Sequence, residues 1–84
     1  MAQSTDELLA KLENEPRSVR FSELRKACEH FFGRPRHRGG SHLIFKTGLR
    51  EPALVNIQPA GKMAKAYQCR PVAVAVRALK AKGV

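Results

Sequence analysis

Hydrophobic residues along this chain follow a helical period at both ends and a strand period in the middle. Ser4-Thr5-Asp6-Glu7 has the spacing of a capping box, and Leu8, Leu9 and Leu12 follow on one helical stripe. Asn14-Glu15-Pro16 ends this helix, because a residue before proline avoids helical angles. Residues 1–16 therefore read as a short acidic helical extension, and residues 17–84 as the main domain. In a second helix, Leu24, Cys28, Phe31 and Phe32 recur at helical spacing, with Ser22 as the expected cap and Gly33 as the stop.

From Arg34 the period changes to two. Arg34-Pro35-Arg36-His37-Arg38 alternates, which puts the three arginines on one face, and Pro35 suits an edge strand. Gly39-Gly40 bends the chain. Beyond it, Leu43 and Phe45 lie on one side, with His42, Ile44 and Lys46 on the other. A hairpin loop through Gly48 and Pro52 leads to Val55 and Ile57 facing one way and Asn56 and Gln58 the other. Residues 59–69 read as an irregular loop. Val72-Ala73-Val74-Ala75-Val76 has strand propensity, yet Pro71 suits a first helical position and Val72, Val76 and Leu79 share a helical face. A helix from Pro71 is expected.

These elements predict an α+β domain in which helices cover one apolar face of an antiparallel sheet with three strands. The uncovered face would display His42, Lys46, Asn56, Gln58 and some of Arg34, Arg36 and Arg38.

Charge sharpens this picture. Residues 1–16 carry four acids against Lys11, a net of −3, while residues 17–84 carry fifteen Lys and Arg against three Glu, a net of +12. Such an excess attracts polyanions, since neutralised phosphates release their counterions. The 84 residues leave room for one modest core, so a stabilising partner is plausible. No signal peptide and no membrane-spanning run is visible, which makes the cytoplasm the expected location. Cys28 and Cys69 lack a CxxC partner or a ligand set, and both read as reduced, buried small hydrophobes.

One constellation could do chemistry. His42 follows two glycines whose amides can face a phosphate, and arginine and lysine nearby can hold phosphate oxygens. RNA brings its own nucleophile, the 2′-hydroxyl. Cleavage needs a proton taken there and one given to the 5′-oxygen, and an imidazole with a pKa of about 6.5 can do either. No acidic or histidine cluster offers a metal a home, so a metal-free reaction without cofactor is expected.

Gly40-Ser41-His42 followed by Leu43-Ile44-Phe45 resembles the Gly-Ser-His strand motif of HicA toxins, the ribonuclease partners of HicB antitoxins. Residues 21–33 resemble that family's first helix. Leu54-Val55-Asn56-Ile57-Gln58-Pro59 and Gly61-Lys62-Met63-Ala64-Lys65-Ala66-Tyr67-Gln68 are similar to a strand and loop of one HicA-like branch. The resemblance covers about residues 20–82. It implies an αβββα fold like that of double-stranded-RNA-binding domains, here with an extra N-terminal helix. It also implies cleavage of messenger RNA as an mRNA interferase, His42 as the catalytic residue, and neutralisation by a HicB-type antitoxin, which an acidic protein would suit.

Around His42, Gly40, Arg36, Arg38 and Lys46 are candidate substrate contacts, and Ser41 is a candidate orienter of the imidazole. Arg38 could clamp the scissile phosphate or decorate a strand end. Lys62 and Lys65 are either phosphate contacts or solvated loop charges. Tyr67 and Gln68 could read a base or pack over the sheet edge. His30 and His37 read as bystanders. A non-catalytic RNA- or DNA-binding module is the alternative to the nuclease, and a module whose basic face serves an acidic protein is a third reading.

Overall fold

In the computed structural model, which describes residues 5–37 and 42–83, strand β2 (Leu43–Lys46) sends Leu43 and Phe45 into the core and leaves Lys46 exposed. It lies between β1 (Arg36–His37) and β3 (Leu54–Ile57), antiparallel to both. The β2–β3 register pairs Leu43 with Ile57 and Phe45 with Val55, so four buried side chains share one face. Helices α2 (Phe21–Phe32) and α3 (Ala66–Ala81) cover that face, and α1 (Thr5–Asn14) packs on them. A second, two-stranded sheet joins β4 (Pro59–Ala60) to β5 (Met63–Ala64). The molecule is thus a small α+β domain with three helices and two antiparallel sheets among the described residues.

Several expectations are corrected. Residues 59–69 are not irregular. Gly61, with φ of 65°, turns the chain so that Ala60 pairs with Met63 and Pro59 with Ala64. This ribbon is tied to the entry of α2, where Phe21 N–H donates to Lys62 O (3.0 Å) and Ala64 N–H to Val19 O (2.9 Å). Helix α3 begins five residues before Pro71. Proline's missing donor would have served the carbonyl of Tyr67, and both residues sit on the exposed side, where water can take that carbonyl. Helix α2 starts at Phe21 and not after a Ser22 cap. There the Glu23 carboxylate accepts from the Arg20 backbone N–H (3.0 Å).

The acidic first helix is built into the core. Leu9 and Leu12 are buried, Leu12 at 2% exposure, within the same cluster as Leu24, Phe45 and Val76. Its charges face cations of α3: Glu13 takes a bidentate pair from Arg77 (2.6 Å each), and Asp6 pairs with Lys80. Lys11 in turn reaches Glu23 (3.1 Å) on α2. Read from the sequence, a three-leucine stripe gave no hint of the surface waiting to receive it.

Two outcomes follow for stability. Leu12→Ala should lower the unfolding free energy by about 2–4 kcal/mol in urea titrations, the usual cost of a core leucine. A loss under about 0.5 kcal/mol, the range of surface changes, would show that α1 is not part of the core. Burial pushes the Glu23 carboxyl up, but hydrogen bonds from the Arg20 backbone and Lys11 outweigh it and hold it below its usual 4.5. Its stabilising contribution is therefore complete above pH 4.5 and lost as pH falls through the lowered value. Glu23→Gln should flatten the pH dependence of the unfolding midpoint below about 4.5, and an unchanged acid limb would refute the assignment.

Candidate nucleic-acid interface

Opposite the helices, the sheet presents a face on which Arg36, Ile44 and Asn56 line up across the three strands, with Lys46 beside Leu54 in the next row. Arg36, Lys46 and Asn56 are exposed, Leu54 is 52% exposed and Ile44 is half-buried. Neither Arg36 nor Lys46 has an ion pair among the described residues, unlike Lys11, Arg25, Arg77 and Lys80. The face is therefore apolar around Ile44 and Leu54 and holds uncompensated positive charge at its β1 edge and at the far end of the central strand, a combination open to phosphates and to flat ligand surfaces.

His42 directly precedes Leu43, and strand alternation sets it in the row of Ile44 and Lys46. The residue is half-buried, and its Nε2 is buried without a hydrogen-bond partner among the described residues. A buried polar atom left unpaired costs about 1–3 kcal/mol, so such positions in folded proteins usually belong to a ligand, a water or a catalytic step.

At the same end of the ladder, Gln58 follows Ile57 and joins a polar chain to α3. Its backbone N–H donates to Gln68 Oε1 (2.7 Å), while Gln68 Nε2 (3.3 Å) and Lys65 Nζ (3.2 Å) both donate to Gln58 Oε1. Gln68, at 7% exposure and with both ends of its amide engaged by Gln58, is thus an internal strut between β3 and α3. Lys65 is half-buried and is brought by Gln58 to the His42 end of the sheet. Sequence reading put Gln58 on the open face and missed this strut. The signal was available: once α3 starts at Ala66, Gln68, Val72, Ala75 and Leu79 share one buried helical face.

The remaining candidates separate. Lys62 is exposed at the tip of the β4–β5 turn. Tyr67, 69% exposed, lines a groove with Leu12, Pro16 and Arg70 on the outer side of α3, away from the sheet. Arg38, Gly40 and Ser41 lie outside the described residues, as does the side chain of His37. His30 meets Phe31 edge-on, with ring centroids 4.9 Å apart, on α2. Cys28 and Cys69 are free and buried; burial, with Cys69 nearby, pushes the Cys28 thiol up to about 12, and burial raises Cys69 as well. Both remain neutral thiols at physiological pH.

No group of three or more His, Cys, Asp or Glu side chains is placed to hold a metal ion among the described residues, and no described helix is long and apolar enough to cross a membrane. No protein-family model matches the chain, and neither curated proteins nor solved structures give a significant match.

The strut and the tyrosine should respond differently to truncation. Gln68→Ala leaves the partly buried Gln58 N–H without its acceptor and should cost about 1–3 kcal/mol of stability. Tyr67→Ala should stay within about 0.5 kcal/mol. Equal losses in thermal or urea unfolding would contradict this placement.

Proposed function

We propose that the protein is a metal-independent endoribonuclease of the HicA toxin type, acting on messenger RNA in the cytoplasm through His42. The observation that carries this reading is the helix-free sheet face with exposed, uncompensated Arg36 and Lys46, at the end of which His42 directly precedes β2. Helices on one side of an antiparallel sheet also suit the double-stranded-RNA-binding architecture implied by the Gly-Ser-His resemblance. In this scheme Arg36, Lys46, Lys62 and Lys65 hold phosphates, while the roles expected of Arg38, Gly40 and Ser41 fall outside the described residues. His42 takes the 2′-hydroxyl proton or delivers one to the leaving 5′-oxygen, and the cations stabilise the charge that develops on phosphorus. No step calls for a metal or cofactor. An acidic HicB-type antitoxin would be the natural cover for this face.

One observation favours the non-catalytic RNA-binding reading: Nε2 has almost no solvent exposure, so with the ring as placed that nitrogen does not meet a substrate. The two readings part on a single assay. With EDTA present, the purified protein should cut RNA, and His42→Ala should slow cleavage by about 100-fold or more while leaving RNA binding intact. Cleavage unchanged in His42→Ala would end the role of this residue. Binding without scission by the native protein would establish the module instead. In either case Arg36→Ala and Lys46→Ala should each weaken binding to any RNA sequence and reduce the salt slope by about one; an unaltered slope would remove the sheet face from the interface.

A further inference from the structure

Helix α3 carries two apolar faces. Gln68, Val72, Ala75, Val76 and Leu79 point inward and are accounted for by the core. On the opposite side, Tyr67, Pro71, Val74, Ala78 and Ala81 recur at spacings of four, three, four and three, the period of a seam that receives another helix. Tyr67, Pro71, Val74 and Ala81 are exposed and Ala78 is half-buried, so most of the seam lies open among the described residues. Tyr67 is 69% and Val74 54% exposed, and with Leu54 they are the large hydrophobics that stand out on the surface among the described residues. The seam narrows from a tyrosine at one end to alanines at the other, which lets a second backbone come close there.

Charge identifies the occupant. By helical geometry Arg70 and Arg77 flank the seam on one side and Lys82 on the other. Arg77 is already held by Glu13, whereas Arg70 has no ion pair among the described residues and lines with Tyr67 and Val74 a groove whose far wall is Leu12, Pro16 and the Arg77-bound Glu13. A second copy of α3 would set cation against cation across the contact. A foreign helix bearing Glu or Asp beside its apolar stripe would pair with Arg70 and Lys82 as it buries Tyr67 and Val74. We infer that the outer face of α3 is a docking site for an acidic amphipathic helix of a partner protein, separate from the His42 face. Tyrosine and arginine are also the residue types that dominate binding energy at protein interfaces.

The full-length protein tests this directly. The probes are two synthetic amphipathic helical peptides with the same leucine and alanine seam, one flanked by Glu and one by Lys. The Glu peptide should bind at least tenfold more tightly in calorimetric titrations and shift the backbone resonances of Tyr67, Val74 and Ala78. Val74→Lys and Arg70→Glu should each weaken it tenfold or more, and His42→Ala should leave it unchanged. Sedimentation should show a monomer at micromolar concentration. Equal affinity for both peptides, indifference to Val74→Lys, resonance shifts confined to the sheet face, or a dimer dissolved by Val74→Lys would each overturn the assignment. RNA cleavage in the same variants reports separately on the nuclease reading.

Discussion

Everything on the open face depends on the β2–β3 ladder holding its register. Because side chains alternate along a strand, pairing Phe45 with Val55 and Leu43 with Ile57 commits the odd positions to the core and the even ones to solvent. A slip of β2 by one residue would turn Lys46 beneath α2 and α3 and expose Leu43 and Phe45. The cost of burying an unpaired ammonium makes that alternative inaccessible. Arg36 and Lys46 are therefore displayed as a consequence of core packing, with no separate device needed to turn them outward.

The two charge regimes seen along the chain meet in space. The acidic first helix does not hang free, nor does it lie on the exposed sheet face. It neutralises Arg77 and Lys80 on α3 and sinks two leucines into the core. Arg36 and Lys46 on the sheet face and Lys62 at the β4–β5 turn remain without an ion pair among the described residues, as does Arg70 on the outer side of α3. Exposed ion pairs contribute little individually, so the leucines rather than the charges hold α1 in place. The pairs set its orientation.

Local patterns revealed much of this and long-range contacts the rest. The period-two run through Leu43 and Phe45 disclosed both the core face and the open face of the strands, since alternation is a property of the strand itself. The α+β class was legible for the same reason. Pro71 suits a first helical position, which sets the expected start of α3 five residues late and hides the inward face on which Gln68 sits. The β4–β5 ribbon escaped notice because two-residue strands carry no periodicity; only their bonds to Val19 and Phe21, far away in sequence, define them. His42 could be singled out from its glycine neighbours, but the burial of its Nε2 depends on the tertiary surroundings and leaves no trace in the sequence.

Gln68 accepts from the Gln58 backbone N–H and donates to the Gln58 side chain across ten residues of chain. The first of these bonds asks nothing of the side chain at position 58 except that it not be proline, so the constraint is lopsided. Among relatives, position 58 is free to drift while the amide at 68 stays fixed, and that asymmetry would mark the contact between sheet and helix without any coordinates.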